Sequence, residues 1–264
     1  MKNIVITGST RGLGFCMAKE FLLKGCCVTL SGRGPALADE TTNALAAYQD
    51  RFIYRSCDTQ SLQDIESLWE KSVQKWGRVD IWINNAGGNC PYEKFWETDP
   101  SYIDRVLDTN IKGVMLGSRV AVLGMLKQGG GQIFNMEGLG SDGMLMDKTI
   151  IYGTSKSALT YFTRGLAREL VNTPVLAGRL SPGMVLTDFL TKTPDGLESP
   201  ALSEKRFRYV LKAIAQKPET IAGFFIPRIL SNTKNGAHIV WLTRAKAMAG
   251  FMSAPFRSGN GPDL

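Results

Sequence analysis

The stretch that decides the fold lies near the start of the chain, where residues 4–14 read IVITGSTRGLG. Its first three residues, Ile4, Val5 and Ile6, predict a short buried strand. Glycines follow at once, and glycine is favoured where a turn is tight and where the backbone must approach a phosphate closely. A helix is predicted over residues 15–23, so its free N–H groups face the same turn. The stretch therefore predicts a strand, turn and helix that bind the phosphates of a dinucleotide.

Similar short apolar stretches recur along the chain and alternate with helical patterns. The predicted strands are residues 3–7, 26–31, 52–56, 79–83, 132–136, 175–180 and 238–243. Strands that are apolar throughout are typical of a parallel sheet covered by helices on both faces. The sequence predicts one α/β domain over residues 1–264, with a doubly wound parallel sheet of the Rossmann type.

Three further helices are predicted, two of them from their capping residues. The first follows Ser61 and ends at Gly77, and the second begins at Asp99-Pro100 and continues past Asn110. The third covers residues 152–170. These helices lie between predicted strands, as a doubly wound sheet requires.

Composition excludes several classes of protein. The chain has 264 residues, of which 44% are hydrophobic and 21% charged, which is ordinary for a globular protein. No apolar run approaches the ~20 residues of a transmembrane helix. The first strand begins directly after Met1-Lys2, so we expect no targeting peptide. The net charge is +7, and the lysines and arginines are scattered except near residues 205–208. This distribution favours a solvated surface over a nucleic-acid site.

The five cysteines and the single histidine, His238, have no spacing typical of metal ligands. An odd number of cysteines also argues against a disulfide framework. We therefore expect no metal site, and a protein of the reducing cytoplasm.

The residues at the end of the second predicted strand indicate which cofactor the protein binds. A site that prefers NAD usually has an acidic residue there, but this chain has Gly32-Arg33. Arg33 and Arg11 offer two guanidinium groups that can bind a 2′-phosphate. The sequence predicts NADPH or NADP as the cofactor. The alternative is that Arg33 is a solvated loop residue and that selectivity is loose.

Two further segments follow predicted strands and face the same cofactor. Asp58 and Thr59 follow the third strand and are expected at the adenine edge. Asn85, Ala86 and Gly87 follow the fourth strand and are expected near the adenosine ribose, although an Asn-Asn-Ala-Gly run also suits a simple turn.

Tyr152 and Lys156 form the predicted catalytic pair. Their spacing of four places the phenol and the ammonium on one face of a helix. A phenol has an ordinary pKa of about 10, so it needs a nearby cation to work as an acid or base at neutral pH. Lys156 supplies that cation, and Tyr152 then gives a proton to a carbonyl oxygen as hydride reaches the carbon.

These motifs, in this order, resemble the short-chain dehydrogenase/reductase family over nearly the whole chain. The resemblance implies that Asn110 kinks its helix and holds a water that relays protons with Lys156. It implies that the turn after the sixth strand contacts the nicotinamide. It also implies a homodimer or homotetramer formed through the helices that carry Asn110 and Tyr152. The predicted cofactor-binding residues are Gly8, Ser9, Thr10, Arg11, Gly12, Leu13, Gly14, Arg33, Asp58, Thr59, Asn85, Ala86, Gly87, Tyr152, Lys156, Pro182, Gly183, Val185 and Thr187.

The chain departs from the family at the catalytic serine, which normally follows the fifth strand. Residues 134–141 read FNMEGLGS, so the serine position falls on Gly138. Ser141 is a candidate third catalytic residue. Either it reaches the carbonyl oxygen from a rearranged loop, or Tyr152 alone holds that oxygen.

This departure also makes the resemblance more specific: within the family, the chain resembles the chlorophyll b reductase branch. Residues 84–89, 180–188 and 218–222 resemble the same branch. The branch implies a tetrapyrrole substrate, with NADPH reducing the 7-formyl group of chlorophyll b or chlorophyllide b to 7-hydroxymethyl during chlorophyll breakdown. Another carbonyl, on a 3-oxoacyl, steroid or sugar substrate, is the first alternative. A non-catalytic NADP(H)-binding sensor is the second.

Two segments are expected to border the substrate. Residues 187–220 form the predicted lid, in which apolar and basic side chains suit a large flat ligand with a carboxylate. The alternatives are plain lid packing or a surface insertion. Residues 244–264 form a C-terminal tail that caps the pocket or touches a membrane, or else makes a core or subunit contact.

Overall fold

The computed structural model describes residues 1–256 of the chain. The strands are β1 (Asn3–Ile6), β2 (Cys27–Gly32), β3 (Phe52–Ser56), β4 (Ile81–Asn84), β5 (Gly131–Met136), β6 (Val175–Ser181) and β7 (Ala237–Val240). They form one sheet in the order β3-β2-β1-β4-β5-β6-β7, and every neighbouring pair is parallel. The predicted doubly wound parallel sheet is confirmed.

Ten α-helices connect or follow these strands within residues 1–256. They are α1 (Gly12–Leu23), α2 (Asp39–Ala44), α3 (Leu62–Trp76), α4 (Ser101–Leu107), α5 (Gly113–Gln128), α6 (Ile150–Glu169), α7 (Asp188–Thr191), α8 (Lys205–Ile214), α9 (Pro218–Leu230) and α10 (Arg244–Ser253). One π-helical turn, Asp108–Lys112, joins α4 to α5. Short 3₁₀ turns cover Ala46–Arg51, Pro200–Ser203 and Ala254–Phe256.

The predicted helix bounds follow from local chemistry. The hydroxyl of Ser61 accepts the N–H of Asp64 at 3.2 Å, and Gly77 ends α3 with φ of 83°. The Asp99 carboxylate accepts the N–H of Ser101 at 2.8 Å, as predicted for a capping residue. The second helix is not continuous, however, because the π-helical turn interrupts it around Asn110.

Successive residues of each strand point to opposite faces of the sheet, and each face has its own core. Ile4 and Ile6 pack with α1 and α9, whereas Val5 between them packs with α3, α5 and α6. Trp82 belongs to the second core, and its strand neighbours Ile81 and Ile83 belong to the first. The strands are therefore apolar on both faces, which fixes the sheet between two layers of helices.

The predicted lid, residues 187–220, packs around a small core of its own. Phe207 and Leu211 of α8 are buried there, and the partly buried Tyr92, from the segment after β4, packs against this core. The Tyr92 hydroxyl donates to Glu204 at 3.2 Å, and the Lys148 ammonium lies 2.9 Å from the same carboxylate. The segment is thus attached to the loops that follow β4 and β5. Its action as a lid stays a prediction.

Residues 244–256 of the predicted C-terminal tail lie against α8. The ring of Phe251 lies 6.0 Å from that of Tyr209, whose hydroxyl donates to the Phe251 carbonyl at 3.1 Å. The remaining part of the tail, 257–264, lies outside the described residues. Across residues 1–256, no helix combines the length and the apolar character that crossing a membrane requires.

Candidate active site

The glycine-rich turn after β1 has the backbone that the sequence predicted. Gly8 has φ of +61°, and a Cβ added there would lie 2.8 Å from the Cα of Ala86. A Cβ on Gly14 would overlap the carbonyl oxygen of Gly8. Side chains at these positions would push apart the turn, α1 and the segment after β4. Because α1 begins at Gly12, the N–H groups of its first turn face the open side of the sheet edge.

Hydrogen bonds tie this turn to the segment after β4. The Thr7 hydroxyl accepts the N–H groups of Asn85 and Ala86, each at 3.0 Å. In return the Asn85 amide donates to the carbonyls of Thr7 at 3.1 Å and Gly8 at 2.8 Å. β1 and β4 are neighbours at the point where the strand order reverses, which is where ligands bind in open α/β sheets.

Some predicted cofactor residues have their side chains engaged within the protein. Ser9 is buried, and its hydroxyl donates to the Ile6 carbonyl at 2.8 Å and accepts the Ser31 N–H at 2.9 Å. Thr59 is also buried, against Gly113 of α5. The Asp58 carboxylate accepts the Gln60 N–H at 3.0 Å. These side chains shape the binding edge by holding its loops.

The segment after β6 reaches the same edge. A Cβ on Gly12 would lie 3.4 Å from the Cγ2 of Thr187, so the two loops are in contact. Val185 pairs with Gln216 in an isolated bridge, and Gly183 turns the chain with φ of +71° against Leu242. The segments that follow β1, β4 and β6 therefore meet at one edge of the sheet, which we term the candidate cofactor cleft.

Arg11 and Arg33 have exposed side chains beside this cleft. Arg11 directly precedes α1, and Arg33 directly follows β2. Across the described residues, neither guanidinium takes part in an ion pair or a side-chain hydrogen bond. The end of β2 carries no carboxylate, since the strand reads CVTLSG. An anion at this edge would meet two unpaired guanidinium groups.

Tyr152 and Lys156 lie together on α6. The Lys156 ammonium is 5.6 Å from the centre of the Tyr152 ring and donates to the Met136 carbonyl at 3.0 Å. Burial raises the pKa of Tyr152 above its ordinary value, and burial lowers the pKa of Lys156 to about 8. Desolvation of the phenol sets this upward shift. The expectation that Lys156 lowers the pKa of Tyr152 stays a prediction. A raised pKa makes the phenol a weaker proton donor, so the Lys156 ammonium beside it is needed to stabilise the phenolate once the proton has left.

Asn110 lies at the π-helical turn and is fully buried. Its amide donates to the Gly88 carbonyl at 3.0 Å and to the Ser155 hydroxyl at 2.9 Å. Its side-chain oxygen accepts the Gly88 N–H at 2.7 Å. Asn110 therefore fastens the segment after β4 to α6, between Tyr152 and Lys156. Turns of this kind are frequent at functional sites.

Gly138, rather than Ser141, lies against the phenol. A Cβ on Gly138 would overlap the Tyr152 hydroxyl and come 3.1 Å from Cζ of the same ring. The Ser141 hydroxyl accepts the Gly138 N–H at 3.2 Å and donates to the Lys156 carbonyl at 3.2 Å. Ser141 thus holds the loop of residues 138–141 in place through hydrogen bonds. At the position where the family usually has its catalytic serine, Gly138 contributes only backbone atoms.

Two neighbours of this centre were not singled out from the sequence as site residues. Phe189 of α7 places its ring 5.6 Å from that of Tyr152. Glu137 is buried directly after β5 with Arg179 and His238 around it. The sequence signal for Glu137 was a carboxylate directly after an apolar strand, in a chain with a single histidine. Among residues 1–256, no group of three His, Cys, Asp or Glu side chains could hold a metal ion.

The fold and this centre define an oxidoreductase of the short-chain dehydrogenase class. The sequence profile of the short chain dehydrogenase family matches residues 2–198, and the chain belongs to that family.

Within the family, the chain is similar to plant proteins named for chlorophyll reduction. It is 34% identical over 276 residues to the probable chlorophyll(ide) b reductase NYC1, chloroplastic, of Oryza sativa subsp. japonica, covering 98% of this chain and 53% of that protein. It is 32% identical over 263 residues to the chlorophyll(ide) b reductase NOL, chloroplastic, of the same plant, covering 95% and 74%. The chain spans about half the length of NYC1.

Solved structures share the fold. ElxO with NADP bound has a TM-score of 0.79 at 24% identity, covering 90% of this chain and 96% of that one. The 3-ketoacyl-(acyl-carrier-protein) reductase from Brucella melitensis, complexed with NADH, has a TM-score of 0.78 at 24% identity with the same coverage.

Proposed function

We propose that the protein is an NADPH-dependent carbonyl reductase that converts the 7-formyl group of chlorophyll b or chlorophyllide b to 7-hydroxymethyl. The observation that carries the proposed chemistry is the partly buried Tyr152 phenol, with the Lys156 ammonium 5.6 Å from the centre of its ring. The substrate rests on the similarity to the two plant reductases over nearly the whole chain.

Two features of the cleft support NADPH, a dinucleotide with an extra 2′-phosphate, as the cofactor. Gly8 and Gly14 leave backbone where a Cβ would collide, so a pyrophosphate can approach the first turn of α1. Arg11 and Arg33 are the groups that would bind the 2′-phosphate. The loop of Pro182, Val185 and Thr187 would hold the nicotinamide end. Bound NADPH supplies the hydride.

The chain's own residues supply the proton. Tyr152 donates its phenolic proton to the substrate oxygen, and the Lys156 ammonium stabilises the phenolate that remains. Asn110 holds the segment after β4 against α6. The proton that Tyr152 gives up would be replaced from this side. That Ser141 contacts the carbonyl oxygen stays a prediction, since its hydroxyl here holds Gly138 beside the phenol.

The wall beside Tyr152 suits a large apolar ring system. Phe189 is 40% exposed, and its ring lies 5.6 Å from that of Tyr152. Met184 and Leu190 pack against the small core around Phe207 and Leu211. Exposed basic residues at the start of α8, among them Lys205 and Arg208, offer partners for a carboxylate. Such a ligand would be bound by stacking and apolar burial, with a charged rim.

The experiment that tests this function incubates the protein with NADPH and chlorophyllide b and follows the pigment by chromatography. We expect the 7-hydroxymethyl product. A panel of 3-oxoacyl, steroid and sugar carbonyls serves as comparison. Turnover of a panel member with none of chlorophyllide b would contradict the substrate. NADPH binding without oxidation by any carbonyl would instead indicate a non-catalytic sensor.

Replacing Arg33 by aspartate should exchange the cofactor preference. We expect the Kd for NADPH to rise about ten- to hundredfold, because a hydrogen bond to a charged group contributes about 1.5–3 kcal/mol. The Kd for NADH should fall or stay unchanged, since the carboxylate can accept ribose hydroxyls. Fluorescence titration measures both constants. Arg164→Asp reverses the same charge at an exposed position of α6 and should change neither Kd. An equal rise of both Kd values in R33D would refute the role of Arg33 in binding the 2′-phosphate.

We further propose a homodimer or homotetramer that pairs through α5 and α6. α5 presents exposed apolar side chains at Met115, Leu123 and Leu126, which are 41%, 44% and 42% exposed. Light scattering should give a mass of two or four chains, and Leu123→Glu should reduce it. A monomer at micromolar concentration would contradict this interface. The cytoplasmic location stays a prediction.

A further inference from the structure

An ionic cluster lies beside the proton-transfer pair, on the face of the sheet that α6 covers, with Glu137 buried at its centre and His238 exposed to solvent. Glu137 follows β5, Arg179 is on β6 and His238 on β7, where Arg179 and His238 are direct register partners. Arg179 lies 3.0 Å and His238 lies 2.8 Å from the Glu137 carboxylate. Thr160 of α6 donates to the same carboxylate at 2.9 Å.

The Glu137 side chain is only 3% exposed, so its charge has to be compensated inside the protein. Burial alone would raise the pKa of Glu137. The hydrogen bonds from His238 and Thr160, with the charges of His238 and Arg179, outweigh burial and hold the pKa below its ordinary value. Glu137 is therefore a carboxylate at the pH where the enzyme works.

Glu137 is connected to both members of the catalytic pair through its neighbours in the chain and through Thr160. Lys156 donates to the carbonyl of Met136, the residue before Glu137, and Thr160 lies one helical turn beyond Lys156. On the other side, Gly138 lies against the Tyr152 hydroxyl. The N–H of Glu137 donates to the Leu180 carbonyl at 2.8 Å, which fixes the start of this loop on β6.

The electrostatic effect falls on Lys156, which is 4% exposed and loses solvation. Burial lowers the pKa of Lys156, and the negative charge of Glu137 acts against that shift. The titratable groups that face the Lys156 ammonium are Tyr152 on its own helix and Glu137 after β5. Glu137 in turn faces Arg179 from β6 and His238 from β7.

We propose that Glu137 is a positioning residue that keeps Lys156 protonated and Gly138 in contact with Tyr152, and that Arg179 and His238 hold Glu137 for this task. The proposal rests on the proposed reductase function for its catalytic consequence. Its charge effect on Lys156 belongs to the protein without substrate or cofactor.

The test compares Glu137→Gln with Arg179→Gln. Lys156 in the cofactor-free protein is titrated by its reaction with cyanate, which modifies only the unprotonated amine, and the modified peptide is quantified by mass spectrometry. In E137Q the midpoint should move to lower pH by about one unit, because an attractive charge is lost. In R179Q it should move to higher pH, because the charge of Glu137 is less compensated. Lys234→Gln removes one exposed positive charge near β7 and should leave the midpoint unchanged.

The pH profile of carbonyl reduction supplies the second readout. Reduction needs the protonated pair, so the alkaline limb of kcat should follow the Lys156 midpoint in each variant. A purely structural role would lower kcat at every pH without moving the limb. An unchanged midpoint in E137Q, or a downward shift in both variants, would overturn the proposal. If E137Q does not fold, R179Q decides alone, since only an upward shift supports the proposal. Shifted midpoints with no turnover would refute the proposed function and leave the charge effect standing.

Discussion

Tyr152→Phe should lower kcat for carbonyl reduction by about 10²–10⁴-fold, the usual contribution of a general acid. The variant loses only the hydroxyl, so the ring keeps its contact with Phe189 at 5.6 Å between centres. The Kd for NADPH should therefore change little, and the thermal midpoint of unfolding should stay near that of the parent. Steady-state kinetics together with a fluorescence titration of NADPH separate these quantities.

Tyr161→Phe is the matched control, because Tyr161 is on the same helix and 84% exposed. It should have the kcat of the parent. A Tyr152→Phe protein with more than a tenth of the parental kcat would show that another group protonates the substrate. Loss of NADPH binding in the same variant would assign Tyr152 to the cofactor instead of to the proton.

Gly138→Ser should lower kcat by about 10²-fold, although it places a serine where the family usually has one. A Cβ at this position would overlap the Tyr152 hydroxyl, so the phenol has to move. A displacement of about 1 Å at a reacting centre can cost that factor. The change is measured as kcat at saturating NADPH, with circular dichroism to confirm the fold.

Gly165→Ser provides the comparison for this substitution. Gly165 is exposed on α6, and a Cβ there would meet no atom within 4 Å. We expect parental activity and equal or slightly higher stability, since glycine is unfavourable within a helix. Parental or higher activity in Gly138→Ser would mean that the loop rearranges to admit the side chain, against the packing described.

Local sequence patterns were sufficient for most of the fold. The strand, the glycine turn and the first helix depend on neighbouring residues and were predicted, although α1 begins at Gly12 and not at residue 15. The helix between Ser61 and Gly77 was predicted with its bounds. β7 is shorter than predicted: it ends at Val240, and Trp241 makes one more backbone bond to Ser181. The apolar pattern at 238–243 continues into a loop that packs on the body, which periodicity alone does not distinguish.

Contacts in the site that depend on spacing along one helix could be predicted from the sequence. Contacts that depend on how the strands of the sheet pair could not. Tyr152 and Lys156 meet because they are four residues apart on one helix. The upward shift of the Tyr152 pKa depends on burial by other segments, and the spacing of two residues on one helix does not contain that information. The cluster of Glu137, Arg179 and His238 needs the register of three neighbouring strands, which no local pattern contains.

The central claim is that hydride from NADPH and a proton from Tyr152 together reduce a formyl group. It is tested most directly with NADPH deuterated at both C4 positions and chlorophyllide b, followed by mass spectrometry of the pigment. The account predicts one deuterium on the carbon of the new hydroxymethyl group with the parent protein, and a rate reduced by about 10²–10⁴-fold with Tyr152→Phe. A hydroxymethyl product without deuterium, or no such product while another carbonyl is reduced, would contradict it.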